Sequence, residues 1–458
     1  MKRFAFTLLL FSILAGCTQH PAGEMQLRKV ALIVGKPYEK PFNERTIRPL
    51  PRAPGQQDLI NYALRNSPAV QQVYWNWRSA IEEIPQAGTE PTTVMLNAGT
   101  LLTNGTASLA NSTLGASNMG SADIRWPSKM SVQARRAYRN ALAAEWQFQL
   151  ARFAVRRNVL NAWYRYIQAT VRLHLTQREL QIVRIAVSQR SAGIGTGGSV
   201  GDWLADKNRL DALQLKLADR RQKVPRRLAL LNSQLDRPAD APIQPPTSLP
   251  AIKWPQLHAR QILRLAVMRN PELRRLRELQ KAEKLSIRRA RMQFIPNFDL
   301  GISTSLDGSV QNLTGSLVAP IFQYQAIDAS IAQAKANLRA VNAQWRGKRI
   351  NLDTSLIIDL LLMRRDRRQL AIYSGAVLPR LKFMESIART NYQQGQAGIE
   401  NIIRIESLRV KIRSAILDVQ ADALGRLADI QAIIAAPLQT DGPQGPPAAS
   451  RKKNRPAR

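Results

Sequence analysis

Cys17 is the only cysteine in the chain, and its surroundings spell out one covalent chemistry. Leu14-Ala15-Gly16 precede it, so small residues at −1 and −2 with leucine at −3 let an extended segment enter a tight peptidase groove. The thiol at +1 is then the nucleophile that takes a diacylglycerol, the layout of a bacterial lipoprotein box. Met1-Lys2-Arg3 supplies a basic start, and Phe4 to Ile13 form a mostly apolar run of signal-peptide length. Acyl chains add about 0.8 kcal/mol per buried methylene, so several of them make a stable anchor. Residue 18 is threonine rather than aspartate, which points to onward sorting to the outer membrane.

Other chemistries lack their residues. One cysteine excludes a disulfide framework or a multi-cysteine metal site, and His20, His174 and His258 are too scattered for a histidine-built one. The sequence holds no Ser/His/Asp set, paired-carboxylate motif or phosphate-binding loop. No catalytic residue, metal ligand or cofactor is therefore expected, and the chain does not read as an enzyme. Lys and Arg number 67 against 32 acids, a net charge of +35 that would suit nucleic acid, but the export signal argues against that partner. With 45% hydrophobic and 22% charged residues, the 458-residue chain is not wholly disordered. After residue 16 no stretch approaches the roughly 18 uninterrupted apolar residues of a spanning helix, so any membrane crossing must use strands.

The elements that would position such a protein are written twice. Residues 1–16 are the signal peptide, 17–56 a lipidated, extended Pro/Arg-rich lead, 57–250 and 251–437 two copies of one unit, and 438–458 a disordered basic tail. Each copy opens on a helical stretch with an Asn and a Pro, Asn66-Ser67-Pro68 or Asn270-Pro271, then meets a Thr/Ser/Gly-rich stretch. A proline (Pro127 or Pro320), a long helical run, a glycine cluster and a further helix follow.

The polar stretches read as strands. Phe298, Leu300, Ile302, Thr304 and Leu306 alternate with Asn297, Asp299, Gly301, Ser303 and Ser305, as a barrel strand does between lipid and water. Leu313, Gly315, Leu317, Ala319 and Ile321 resume that face after Asp307-Gly308, and Val94, Leu96, Ala98 and Leu102 share one in the first half. Ala116, Ala122, Ile124 and Trp126 share another, with Trp126 and Phe322 suited to an interfacial aromatic girdle. Ser128 to Ala192 contain neither Gly nor Pro, and at about 1.5 Å per residue such a helix approaches roughly 100 Å. Leu142, Trp146, Phe153, Leu160, Tyr164, Val171 and Leu175 give it an apolar seam. Gly347, Gly375 and Pro379 predict a kink or stacked shorter helices in the second run.

Two hairpins, long helices, an internal duplication and a lipoprotein signal together resemble the TolC-type outer-membrane efflux channel family. Asn270-Pro271-Glu272-Leu273 resembles its helix-opening motif, Phe294-Ile295-Pro296-Asn297 its approach to a strand, and Tyr392 to Ile403 its periplasmic turn. Trp126-Pro127-Ser128-Lys129 resembles the strand-to-helix turn of the heavy-metal branch, with Ser128 where Gly is usual. The resemblance implies a mainly α fold with a β-barrel portion: a duplicated long-helix α-barrel protomer with four transmembrane strands, closing as a homotrimer. It implies a periplasmic adaptor and an inner-membrane pump as partners, and outer-membrane lipid around the strands. It places Asp202, Tyr392, Glu400, Asn401 and Arg404 at the constricting tunnel tip. Asn401 and Arg404 stand where the family often has two acids, and Asp202 also reads as a helix N-terminal acid.

Four strands alone cannot close a pore-sized barrel, and unpaired edges are forbidden in lipid, so the protomer reads as incomplete. Between residues 131 and 190 there are eleven arginines and two acids. Pairs such as Arg135/Arg139 and Arg152/Arg156 share a helix face, either solvated or turned toward anionic partners. The reading from another class, a lipidated periplasmic coiled-coil adaptor or envelope scaffold, predicts small soluble β modules and no ten-residue alternating strands.

Overall fold

The computed structural model describes residues 18–90, 93, 95–101, 108–109, 111–118, 124–193, 199–255, 259–308, 311–396 and 398–435. The signal segment with Cys17, the 438–458 tail, and the strand positions Val94, Leu102 and Ala122 lie outside the described residues. In chain order the first elements are α1 (Glu24–Gly35), α2 (Gln56–Asn66), α3 (Pro68–Gly88), β1 (Met95–Thr100), β2 (Ser112–Ser117), α4 (Pro127–Gly193) and α5 (Val200–Gln234). Then come α6 (Ala259–Arg269), α7 (Pro271–Arg291), β3 (Asn297–Ser305), β4 (Gln311–Val318), α8 (Tyr324–Ile372), α9 (Leu378–Gln393) and α10 (Glu400–Ile434). The fold is mainly α, and the order helix, helix, hairpin, long helix, helix occurs twice.

The Gly- and Pro-free run forms one helix of 67 residues, α4. The second run passes Gly347 unbroken, because one glycine costs only about 1 kcal/mol in a helix of this length. The interruption is at Tyr373–Val377, a single π-helical turn holding Gly375. Pro379 explains it: the ring lacks an N–H and collides with the carbonyl four residues back, that of Gly375, and the wider turn absorbs the collision. The lead segment, expected to be extended, contains α1. Between Pro21 and Pro37 no proline intervenes, and Leu27, Ala31 and Gly35, four residues apart, are buried along one face.

The described chain forms two compact units, and each takes segments from both sequence halves. The first, 18–47, 68–152 and 271–351, holds all four strands. An aromatic cluster anchors it: Trp77 stacks on Phe148 with centroids 5.5 Å apart, and Tyr74 meets Phe148 edge-on at 6.1 Å. Gly35 ends α1 where a Cβ would lie 1.8 Å from the Tyr74 hydroxyl, so only glycine fits. Along α4 in this unit the buried face is largely Ala134, Ala137 and Ala141, small side chains that admit a close neighbour.

The second unit is 48–67, 153–270 and 352–435. Its core joins Leu59 and Ile60 of α2, Val159, Leu160, Trp163 and Ile167 of α4, Leu231 of α5 and Leu424 of α10. Tyr166 donates its hydroxyl to the Ile243 carbonyl at 2.9 Å, and burial pushes the Tyr164 hydroxyl up to about 12. Asn232 donates to the carbonyls of Ala239 and Ala241 at 3.0 and 2.9 Å, fixing the start of the proline-rich connection. Of the expected seam, Leu160 and Tyr164 are buried and the other five residues half-buried. The packed seam between α4 and α5 is made by Leu180 and Val183 against Leu210, Leu213 and Leu217.

Candidate functional site

The first unit's strands form one sheet in the order β1-β2-β3-β4, every pair antiparallel. The register aligns Leu96, Ala116, Ile302 and Leu313 in one row across all four strands, with Ala98, Leu114, Thr304 and Gln311 in the next. Phe298 opposite Leu317 and Leu300 opposite Gly315 continue this apolar face. The reverse face carries Asn97, Thr113, Ser117, Asn297, Asp299, Ser303, Asn312, Thr314 and Ser316.

Leu313 is 81% exposed, Leu96 79% and Leu317 72%, so these side chains are left uncovered among the described residues. β1 and β4 each have an outer edge with no strand partner among the described residues. On the polar face Asn118 donates to Asp299 Oδ1 at 2.7 Å and accepts from the Leu300 N–H at 2.6 Å, locking β2 to β3. At the sheet's helical end Trp126 donates its ring N–H to the Pro296 carbonyl at 2.7 Å, and Lys129 donates to the Ile295 carbonyl and Asn297 Oδ1 at 2.6 Å. Phe322 is fully exposed.

The second unit gathers the ends of four helices. Arg190, in the last turn of α4, reaches three carboxylates: Asp206 Oδ2 at 3.0 Å, Glu400 Oε1 at 3.1 Å and Asp202 Oδ2 at 3.3 Å. Asp202 and Asp206 lie four residues apart on α5, while Glu400 opens α10, so one guanidinium clasps the turn of the first half to that of the second. Ser199 caps α5 by accepting from the Asp202 N–H at 3.3 Å. Gly395, at φ +70°, makes the left-handed turn after α9.

The sequence-derived candidates are thus partly brought together. Asp202 and Glu400 share Arg190; Arg404 donates to Asn401 Oδ1 at 3.1 Å as a separate pair; the Tyr392 side chain joins neither. Arg190 itself escaped the sequence reading, since its partners stand 12, 16 and 210 positions away. Farther along α9 and α10, Glu385 of α9 is held by Arg389 at 2.7 Å and by Arg409 of α10, and Arg409 also meets Glu406 at 3.2 Å. Burial alone would raise the Glu385 carboxyl, but these two arginines outweigh it and hold it below the usual glutamate range.

The arginine bias of α4 is not merely solvated. Arg157, Arg165 and Arg172 pair with Asp429, Asp422 and Asp418 of α10, at 3.8 Å, 2.7 Å and a short contact. In the first unit Arg139 pairs with Glu278 at 3.0 Å. Among the described residues no group of His, Cys, Asp and Glu could hold a metal ion. No described helix is long and apolar enough to cross a membrane.

No protein-family model matches the chain, and no curated protein matches it. Solved structures do. The outer membrane protein VceC of Vibrio cholerae superposes with a TM-score of 0.68 at 15% identity, over 84% of this chain and 97% of its own. The open state of the MtrE outer membrane channel of Neisseria gonorrhoeae gives 0.68 at 17% identity, over 86% and 94%. CusC, whose structures concern folding and transmembrane channel formation, gives 0.66 at 17% identity, over 92% and 99%. The chain has the fold of the TolC-type outer-membrane channels, as its motifs led one to expect.

Proposed function

We propose that this chain is the outer-membrane channel subunit of a tripartite efflux or export system. It is passive: an inner-membrane pump supplies energy and a periplasmic adaptor docks the two, while this subunit provides a closed path to the outside. One observation carries the reading, a sheet with a mainly apolar, exposed face, a polar reverse face and two outer edges without a strand partner among the described residues. Such a surface is unstable in water, and in lipid its edges must be paired. Three copies would supply twelve strands and join each β1 to a neighbour's β4, with lipid on the leucine face and water against Asn297, Asp299 and Ser303. Cys17 carries the lipid anchor, and Arg190 with Asp202, Asp206 and Glu400 restrains the two helical turns of each copy, holding the passage narrow. The segments 57–250 and 251–437 are two copies of one ancestral unit, joined by duplication. The fold of the neighbours supports this account; MtrE and CusC are described as channels.

A lipidated scaffold would need no amphipathic sheet with open edges, so the adaptor reading loses ground. Full-length lipidated protein reconstituted in planar bilayers tests the proposal. Discrete conductance steps are expected, and their absence from correctly folded, membrane-inserted protein would refute it.

A further inference from the structure

In the second unit α4, α5 and α10 border a cleft of about 330 Å³ whose charges do not balance. Two acids line it, Asp418 and Asp422, and both are taken: Arg165 holds Asp422 at 2.7 Å, while Arg172 and Gln168 hold Asp418, the latter at 2.7 Å. Three more cations, Arg220, Lys223 and Arg227, enter from α5 at i, i+3 and i+7, on one helix face. All three are half-buried, and none makes an ion pair among the described residues. The Nε–H groups of Arg172 and Arg220 are buried with no acceptor. Burial, then the charges of Arg220 and Arg227, lowers the pKa of Lys223, and burial, then Arg220 and Arg165, lowers that of Arg172. Asp219 offsets part of the charge on Lys223, but the cleft still holds donors withdrawn from water and lining cations that outnumber the acids, which favours the entry of an anion.

We propose that this cleft is a binding site for a multivalent oxyanion, either free phosphate or a phosphomonoester group on a larger solute. Two guanidinium forks and an ammonium match tetrahedral oxygens, and the volume is that of a small-ligand pocket. Simple surface charge does not account for it: the sequence is basic throughout, yet here the cations converge from two helices and their donors are desolvated. The site stands independently of the channel reading, because binding is measured without any current.

Calorimetric titration of the full-length protein in detergent, at constant ionic strength in chloride, tests it with two probes. Inorganic phosphate and glycerol phosphate should each bind saturably, and the tighter of the two identifies the source. R220Q/K223Q should weaken binding at least about ten-fold. R221Q/R226Q removes two exposed charges of the same helix outside the cleft and should leave affinity within about two-fold, separating a site from net charge. Equal weakening by both double variants, or no saturable binding above chloride by the wild type, would overturn the proposal. Circular dichroism and the elution volume of each variant establish that it is folded.

Discussion

Glu400→Gln is the sharpest perturbation of the clasp, because it removes the one link by which Arg190 joins the first-half turn to the second. Glu400 is 62% exposed and Arg190 21%, so the 3.1 Å pair is of the weak, partly screened kind, about 0.2–1 kcal/mol in each copy. In the proposed trimer, three copies opening together sum to about 0.6–3 kcal/mol, which multiplies the open-to-closed ratio by roughly 3 to 150. Arg190→Gln should open the passage further: it removes all three contacts and leaves Asp202, Asp206 and Glu400 repelling one another. Macroscopic conductance of planar bilayers, per inserted channel, reads both variants. At 0.1 M KCl the order should be wild type, then E400Q, then R190Q. At 1 M KCl, where the screening length falls to about 3 Å, the three should draw together. Unchanged conductance in both variants at low salt, with assembly intact, would show that the clasp does not restrain the passage.

Trp77→Ala removes a fully buried ring from between Phe148 and Tyr74, and should cost about 3–5 kcal/mol, visible as a large drop in the midpoint of denaturant unfolding. Asp359→Asn should stabilise the protein at neutral pH. Burial, then repulsion by Asp429, raises the Asp359 carboxyl above the usual aspartate range against the pull of Arg426, so its ionised form penalises the fold. That penalty is full above the raised folded-state value and vanishes as pH falls through it toward the ordinary 3.8, so the gain in Tm should shrink on acidification. Gly35→Ala should lower Tm, because the methyl group would lie 1.8 Å from the Tyr74 hydroxyl and 2.0 Å from its ring carbon Cζ, and Tyr74→Phe, which keeps the ring, should restore little of the loss.

Much of this architecture is legible in local pattern. Period-two alternation from Asn297 to Ser305 fixes which side chains share a face, and pairing then aligns Leu96, Ala116, Ile302 and Leu313 whatever the surroundings. A run without Gly or Pro from Ser128 to Ala192 leaves the chain no alternative to one helix. What local pattern misjudges is context. Gly347 is tolerated because its neighbours propagate the helix, whereas Pro379 acts on a carbonyl four residues earlier and so shifts the interruption to Tyr373–Val377. α1 escapes notice because flanking prolines mask twelve helical residues between them. The site was half visible: Asp202 and Glu400 stand out at helix starts, but Arg190 reads as one of eleven arginines until the fold brings distant carboxylates around it. The cationic face of α5 is equally ordinary in sequence; only the approach of Arg165 and Arg172 makes it a cleft.

The central claim is that the outer edges of β1 and β4, which have no strand partner among the described residues of one chain, are joined between chains. Cysteines introduced at Asn97 on β1 and along residues 311–318 on β4, in lipidated protein oxidised within native membranes, test it most directly. One register of the panel should give a ladder that ends at a covalent trimer. Cross-links formed only within single chains, or none at any register, would contradict it.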